Sequence, residues 1–193
     1  IDFLGACFAD PTHTFAGFVT RYHELLHRIE EVNIPIIAAV NGIARAGGIE
    51  LLLACDLVVM SSEAKIGDHH LASGIPPGAG AGVRLQRILG PIRAREFIFS
   101  ARWMSADEAF QSGVASHVCT HDQIEIMIDE IVDNLSRTSR TALAATKSAL
   151  LQACPTRPGC QAELKVFLDF VTNDPDASEG YRAWVEKRSP QWK

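Results

Sequence analysis

The chain has 193 residues, of which 47% are hydrophobic, and this is enough to bury one sizeable core. Its net charge of −5 and its scattered 18 Lys and Arg residues argue against a nucleic-acid groove or a polybasic membrane surface. No apolar run approaches the ~18 residues of a membrane span. The five cysteines lack a C-x-x-C spacing, which favours free thiols in a reducing cytoplasm.

The first third of the chain predicts a helix followed by short strands. Apolar residues at helical spacing over 15–29 predict a long amphipathic helix that ends near Pro35. The apolar run 36–40 predicts a strand buried on both faces, and Asn41-Gly42 turns the chain after it. Gly47-Gly48 lead into a short helix over 50–55, and further strands are predicted at 57–60 and 65–66.

The rest of the chain predicts helices. The stretch 73–82 is rich in Gly and Pro and predicts an irregular loop. From residue 83 the pattern is helical, and four of the segments are 124–135, 142–151, 162–171 and 178–187. The order is therefore an α/β fold with short β and α units first and a helical tail last.

The segment from Ala44 to Glu50 is the first that could carry chemistry. Two glycines before a helix let backbone N–H groups approach a ligand closely, and the first turn of a helix adds a partial positive charge. Such a place can hold a carbonyl oxygen that becomes an oxyanion, with the Glu50 carboxylate in the same turn. Taken alone, the same residues also fit a plain tight turn with Glu50 stabilising the helix dipole.

A longer set of motifs resembles the enoyl-CoA hydratase/isomerase (crotonase) family. The resemblance covers nearly the whole chain and lies in 35–42, 47–51, 54–56, Gly67, 74–80, 84–85, 105–109, 113–114 and 174–188. It implies an α/β crotonase-like spiral of ββα turns over residues 1–130, with its first turns upstream of residue 1. A C-terminal helical region over 131–193 would then serve trimerisation and cover the CoA.

The resemblance also implies a thioester site. Its two oxyanion-hole donors would be the N–H groups of Gly47 and Ile1, and its acyl pocket would be lined by the loop of Pro77 and Gly78. Further substrate or CoA contacts are implied at Ala44, Arg45, Ala46 and Lys187. On the last helix, Lys187 or Arg188 could bind phosphates or simply favour the helix C-terminus.

The second catalytic group is where the chain departs from the family. The hydratases use two carboxylates, and Glu50 matches the first, but His70 stands where the family pattern Gly-x-Pro-Glu has its second. His70 could take over the acid/base role, since its unperturbed pKa of ~6.5 is workable near neutral pH. Alternatively, the reaction needs one carboxylate, as in C–C hydrolysis, decarboxylation or isomerisation, or the site only binds CoA.

Two other histidine groups invite a functional reading. Asp68-His69-His70 resembles a metal motif, but adjacent residues rarely ligate one ion, so no metal is expected. His23 and His27 lie four residues apart on the long helix, either as a functional pair or as a partly exposed pair on the helix flank.

We expect an acyl-CoA lyase of enoyl-CoA hydratase type, with no metal, flavin or nicotinamide. We further expect a homotrimer or dimer of trimers, with no nucleic-acid or membrane partner.

Overall fold

The computed structural model describes residues 2–192. The chain begins with α1 (Asp2–Ala9), a π-helical turn (Pro11–Phe15) and α2 (Ala16–Glu31). The middle comprises β1 (Ile37–Val40), β2 (Ile43–Arg45), α3 (Gly47–Ala54), β3 (Leu57–Ser61), β4 (Lys65–Gly67), α4 (Ala81–Leu89), α5 (Pro91–Ser100), β5 (Met104–Ser105), α6 (Ala106–Gln111) and β6 (His117–Cys119). The last third is helical, with α7 (Ile124–Ser136), α8 (Arg140–Ala153), α9 (Arg157–Asn173) and α10 (Glu179–Val185).

The strands form two layers built from a repeated β-β-α unit. The first strands of the units form a parallel sheet in the order β1-β3-β6, in which Ala39 pairs with Val59 and Val59 with His117. The second strands form a sheet in the order β2-β4-β5, with β2 and β4 parallel and β5 antiparallel to β4. This stacking of β1-β2-α3 on β3-β4-α4 is the ββα spiral that the sequence predicted.

The main core lies between the two sheets and helices α3 to α6. Its fully buried side chains include Ile49, Met60, Ile66, Leu85 and Met104. A second cluster joins the N-terminal helices to the tail, since Phe15 and Val19 pack with Phe167 and Val171 of α9. The tail therefore folds back on the N-terminal helices of the same chain.

Polar contacts attach the tail to the rest of the chain and order its end. Lys147 of α8 donates hydrogen bonds to the Asp56 carboxylate at 2.7 Å and to the carbonyl oxygens of Ile29 and Ile34, both at 3.0 Å. After α10, Arg188 pairs with the Glu179 carboxylate at 2.5 Å, and the Gln191 N–H donates to the same carboxylate at 2.8 Å.

None of the helices within residues 2–192 is both long and apolar enough to cross a bilayer.

The structure differs from the sequence prediction at several places, one of which is β2, where no strand was predicted. Helix α3 begins at Gly47, so the two glycines lie in its first turn and do not precede it. The strands β5 and β6 lie inside the segment predicted as wholly helical, because runs of two or three residues carry no readable alternation. Helix α10 ends at Val185, and Lys187 follows it in a left-handed conformation with φ of 53°.

Candidate active site

A cavity of about 680 Å³ opens beside the start of α3. Three segments next to the sheets supply its polar wall: the first turn of α3, the turn after β4 and the loop before α4. Gly47 and Glu50 come from the first of these, His69 and His70 from the second, and Gly78 and Ala79 from the third. Helices α1, α2, α9 and α10 supply the remaining wall.

The backbone before α3 is unusual. Ala46 has a φ of 51°, a rare conformation for a residue other than glycine, and its N–H donates to the Gly67 and Asp68 carbonyl oxygens at 3.1 and 3.0 Å. The chain turns sharply here, so that Gly47 begins the helix at the cavity wall. N–H groups in the first turn of a helix have no intrahelical acceptor, which leaves them available to a ligand oxygen. From α2, the Tyr22 hydroxyl donates to the Gly47 carbonyl oxygen at 2.5 Å.

The Glu50 carboxylate is buried and held at both oxygens. Oε1 accepts a hydrogen bond from the Ala79 N–H at 2.7 Å, and Oε2 lies 3.8 Å from Nε2 of His70. Burial raises the pKa of Glu50, while the nearby His70 charge and the Ala79 N–H oppose that rise. A carboxylate with a raised pKa is suited to accept and release a proton near neutral pH.

The His70 ring is held by Asp68. The Asp68 carboxylate is fully buried, accepts the His70 backbone N–H at 3.3 Å, and lies 3.1 Å from Nδ1 of the ring. Burial alone lowers the pKa of His70, but the hydrogen bond to Asp68 and the charges of Glu50 and Asp68 outweigh it, so the pKa is raised. Asp68, His70 and Glu50 thus form a chain in which the ring presents Nε2 to the Glu50 carboxylate.

The rest of the cavity is aromatic. Four helices and the π-helical turn contribute rings that contact one another, and Phe15 meets Phe8 and Phe167 edge-to-face at centroid distances of 5.1 and 5.2 Å. Seven aromatic residues line the cavity: Phe8, Phe15, Phe18, Tyr22, Phe167, Tyr181 and Trp184. An apolar volume with two acid/base groups on one wall fits an acyl group attached to a reactive carbonyl.

Comparison with known proteins identifies the family. Residues 2–193 match the sequence model described as enoyl-CoA hydratase/isomerase. This chain belongs to the enoyl-CoA hydratase/isomerase family. It is 35% identical to the 2,3-dehydroadipyl-CoA hydratase of Escherichia coli strain K12, over 88% of this chain and 67% of that protein. It is 34% identical to the crotonyl-CoA hydratase of Syntrophomonas wolfei, over 83% of this chain and 62% of that protein.

The fold is likewise that of the family. The crystal structure of an enoyl-CoA hydratase from Mycobacterium avium subsp. paratuberculosis K-10 matches with a TM-score of 0.82 at 27% identity, covering 91% of this chain and 72% of that one. The α/β crotonase fold with C-terminal helices is therefore confirmed. The chain spans about two thirds of the length of the curated relatives it matches, between 62% and 70% in those compared.

The structure brings most of the predicted site residues of this family member together. Gly47, Glu50 and His70 line the cavity, with Arg45, Ala46 and Gly78 beside them. Ala44 packs against the main core, and Pro77 is half-buried outside the lining. Lys187 is exposed beyond the end of α10, outside the cavity lining, and Ile1 lies outside the described residues. The Arg188 guanidinium forms ion pairs with the Glu179 and Glu186 carboxylates.

The remaining histidines have separate environments. His23 and His27 are buried in edge-to-face contact at 4.5 Å, which corrects the partly exposed pair expected on the helix flank. Neither lines the cavity, since α2 turns them toward α9. The His69 ring lies against Trp103 with centroids 4.0 Å apart. Within residues 2–192, no three His, Cys, Asp or Glu side chains are placed to hold a metal ion.

Sequence reasoning missed the residues that orient the pair. Asp68 stood next to the recognised histidines, and an Asp two residues before a His is a typical side chain-to-backbone turn, so a local signal existed. Ala79 contributes through its backbone N–H, and because almost every residue type has a backbone N–H, the identity of the residue gave no signal. Tyr22 carried no signal apart from its place on the apolar stripe of α2, because its partner Gly47 is 25 residues away.

Proposed function

We propose that the protein is an enoyl-CoA hydratase, a lyase that adds water across the 2,3-double bond of an enoyl-CoA thioester. The observation that carries the proposal is the pair of acid/base groups, Glu50 and His70, 3.8 Å apart on the wall of an apolar cavity beside Gly47. Membership of a family whose curated members include named hydratases supports it.

The proposed reaction uses each group once. The thioester oxygen accepts a hydrogen bond from the Gly47 N–H, with Ile1 as the second donor by resemblance. The Glu50 carboxylate takes a proton from a water molecule while the water oxygen bonds to Cβ. The electrons of the Cα–Cβ double bond move toward the thioester oxygen and give an enolate. Cα then takes a proton from the His70 imidazolium. A proton passed from Glu50 to His70 restores both groups without a metal or a separate cofactor.

The electrostatics support the direction of proton transfer. The Asp68 hydrogen bond and the Glu50 charge raise the pKa of His70, which favours the imidazolium, the form that donates. Ala79 and His70 both favour the carboxylate of Glu50 against its burial. The pair is therefore best described as a carboxylate facing an imidazolium, the two forms that hydration requires.

Other parts of the proposal come from the resemblance. CoA would lie along 44–46 and the loop of Pro77 and Gly78, with Lys187 near its phosphates. The region 1–130 would act as the catalytic spiral, and 131–193 as the part that assembles the protein into a homotrimer or dimer of trimers. A cytoplasmic location stays a prediction from the cysteine pattern.

The test is turnover of the purified protein in deuterium oxide with a panel of CoA esters that carry a 2-enoyl, a β-keto or a β-carboxy acyl group. Hydration gives a 3-hydroxyacyl-CoA that carries one deuterium at Cα, detected by mass spectrometry. Release of carbon dioxide or of a cleaved acid would instead establish the decarboxylase or C–C hydrolase alternative, which the replacement of the second Glu by His70 favours. Binding without turnover would reduce the protein to a CoA-binding role.

A further inference from the structure

Half of the aromatic residues in the chain line one cavity. The sequence contains nine Phe, three Trp and two Tyr, and seven of these fourteen rings are in the cavity wall. Phe8 stacks on Tyr181 at 5.2 Å and meets Phe15, which in turn meets Phe167. These contacts join α1, the π-helical turn, α9 and α10 into one continuous apolar surface.

Charge is confined to one end of this cavity. Apart from His70, the basic side chains among the described lining residues are Arg45 and His69, and burial together with the Arg45 charge lowers the pKa of His69, which disfavours its cationic form. Arg45 is exposed and lies two residues before Gly47, at the thioester end, and His69 packs on Trp103. The aromatic wall therefore offers no cation to pair with an acidic group on the acyl chain.

The cavity is also larger than a short acyl group requires. At about 30 Å³ per heavy atom, the share that a water molecule has in the liquid, the five heavy atoms of a crotonyl group occupy ~150 Å³. The cavity holds about 680 Å³. We propose that the substrate is a CoA thioester whose acyl group is uncharged, apolar and longer than four carbons. This rests on the proposed function for the reaction, but not for the binding.

Binding of saturated, unreactive thioesters tests this without any turnover. Calorimetry with acetyl-, decanoyl-, 3-phenylpropanoyl- and adipyl-CoA should show decanoyl- or 3-phenylpropanoyl-CoA bound at least about tenfold more tightly than acetyl-CoA, since burying two methylenes is worth about that much. The two favoured ligands separate a linear from an aromatic acyl group. Equal affinities, or tighter binding of adipyl-CoA, would overturn the proposal. A protein that binds decanoyl-CoA but does not hydrate 2-decenoyl-CoA would refute the proposed function alone.

Phe18 offers a variant that leaves the core intact. Its ring lines the cavity and is 36% exposed, so Phe18→Ser removes apolar wall without opening the core. We expect decanoyl-CoA affinity to fall about fivefold or more, with acetyl-CoA affinity unchanged. Phe110→Ser, at an exposed ring on α6 outside the lining, is the matched control and should change neither. An equal loss for both ligands in Phe18→Ser would contradict the assignment of the aromatic wall to the acyl group.

A separate observation concerns Glu163 of α9. Its Oε1 accepts the Gly80 N–H at 2.6 Å, and its Oε2 accepts the Val83 N–H at 3.2 Å. Gly80 follows Ala79, whose N–H binds Glu50, and the Arg84 guanidinium donates to the Ala79 carbonyl oxygen at 2.8 Å. Two carboxylates from different helices thus hold consecutive N–H groups of one loop.

We infer that Glu163 is a positioning residue that sets the Ala79–Gly80 peptide and, through it, the Glu50 carboxylate. The conformation of this loop depends on a glycine at position 80. Gly80 has a φ of 102°, and a side chain at this position would clash with Arg84. The Glu163 carboxylate also interacts electrostatically with Glu50, Asp68, His70 and Cys160. Burial and the Glu50 charge raise the pKa of Glu163 to about 7, and its charge in turn raises the pKa of His70.

Glu163→Gln keeps the size of the side chain and removes the charge. We expect the pH at which the His70 ring titrates, followed by NMR of the labelled imidazole, to move down, and kcat to fall about tenfold with KM little changed. Glu163→Asp keeps the charge but is too short for both N–H groups, so kcat should fall while the titration of His70 changes less. Glu125→Gln, at an exposed carboxylate of α7, is the control.

The measurements separate this inference from the proposed function. If Glu163→Gln lowers only the thermal stability and leaves the His70 titration and kcat unchanged, Glu163 merely caps α4 and the inference is wrong. The NMR titration needs no substrate, so it still tests the coupling of Glu163 to His70 in a protein that proves not to hydrate enoyl-CoA.

Discussion

At the scale of single residues, the site depends on a buried acid/base pair whose members favour each other's charged form. Glu50 alone would lose its charge on burial, and His70 alone would do the same. The Asp68 carboxylate on Nδ1 and the Ala79 N–H on Oε1 supply the further hydrogen bonds that a buried pair requires. Neither group is expected to function once its partner is removed.

Glu50→Gln is expected to lower kcat by ~10²–10⁴, the usual contribution of one positioned acid/base group. The amide still accepts the Ala79 N–H, so the affinity for an unreactive acyl-CoA should stay within a few fold. Steady-state kinetics and calorimetry measure the two effects. Retained turnover in Glu50→Gln would remove Glu50 from the mechanism.

The pH profile follows from the two raised pKa values. Glu50 acts as the carboxylate, so kcat should fall as pH drops through its pKa, which lies above the ordinary Glu value. His70 acts as the imidazolium, so kcat should also fall as pH rises through its pKa, which lies above the ordinary His value. The sequence alone left open a neutral His70 base that loses rate only at low pH. The Asp68 contact favours the bell-shaped profile, and a kcat that stays level at high pH would contradict it.

Substitutions at His70 isolate the high-pH limb of that profile. His70→Ala should lower kcat and abolish the limb, because no imidazolium remains to titrate. His70→Glu, which restores the family pattern, should retain or raise hydration of a 2-enoyl-CoA, with the high-pH limb moved down. Under a decarboxylase or C–C hydrolase mechanism, His70→Glu would abolish the native activity without creating a hydratase. Turnover and a pH profile unchanged in His70→Ala would make His70 a bystander.

At the scale of elements, Lys147 attaches the helical tail to the spiral. Its ammonium group reaches across from α8 to the end of α2 and the start of β1 and β3, where it satisfies one carboxylate and two backbone carbonyls. The same Asp56 carboxylate accepts the Ile36 N–H at 2.7 Å, so the contact also fixes the entry to β1.

Lys147→Met should destabilise the protein by about 1–3 kcal/mol, because it removes the ammonium donor of two backbone carbonyl groups and leaves the Asp56 carboxylate with the Ile36 N–H but without its cation. Urea unfolding at neutral pH measures the change, and the site itself should keep its ligand affinity when folded. Lys165→Met, at an exposed lysine of α9, is the matched control and should fall within ~0.5 kcal/mol of the wild type. Equal stability of both variants would show that Lys147 does not help to hold the tail.

At the scale of the whole molecule, large apolar side chains remain exposed on several helices. Ile92 and Phe99 of α5 are 73% and 71% exposed, and Leu150 of α8 and Val166 of α9 are 67% and 63% exposed. Single exposed apolar residues are normal, but large ones on three helices provide apolar surface that another subunit could cover.

Together with the resemblance to the family, these residues lead us to expect a trimer, or a hexamer made of two trimers. Light scattering after size-exclusion chromatography gives the mass directly, and dilution to nanomolar concentration tests whether the assembly is stable. Phe99→Asp together with Leu150→Asp should shift the population toward smaller species if these faces are in contact. A stable monomer of the wild-type protein would refute the assembly.

The sequence by itself determined the family, the approximate places of α2, β1, α3, β3 and β4, and the proximity of Gly47 to Glu50. Gly47 and Glu50 lie in the same helical turn, so their proximity follows from local geometry alone. The apolar runs of β1 and β3 could be read because Gly and Pro mark the ends of such runs, whereas the ββα order followed from the resemblance to the family, since the three-residue β2 carried no signal.

Only the tertiary structure decided how the rest of the site reaches Glu50. Ala79 is 29 residues from Glu50 along the chain, and Glu163 is 83 residues from Gly80, so no local pattern links them. The aromatic wall is assembled from four helices at both ends of the chain, each of which shows only an ordinary apolar stripe. The periodicity of a sequence shows which face of an element is apolar, but not which element packs against that face. It therefore cannot predict short strands, backbone hydrogen-bond donors or contacts between side chains that are distant along the chain.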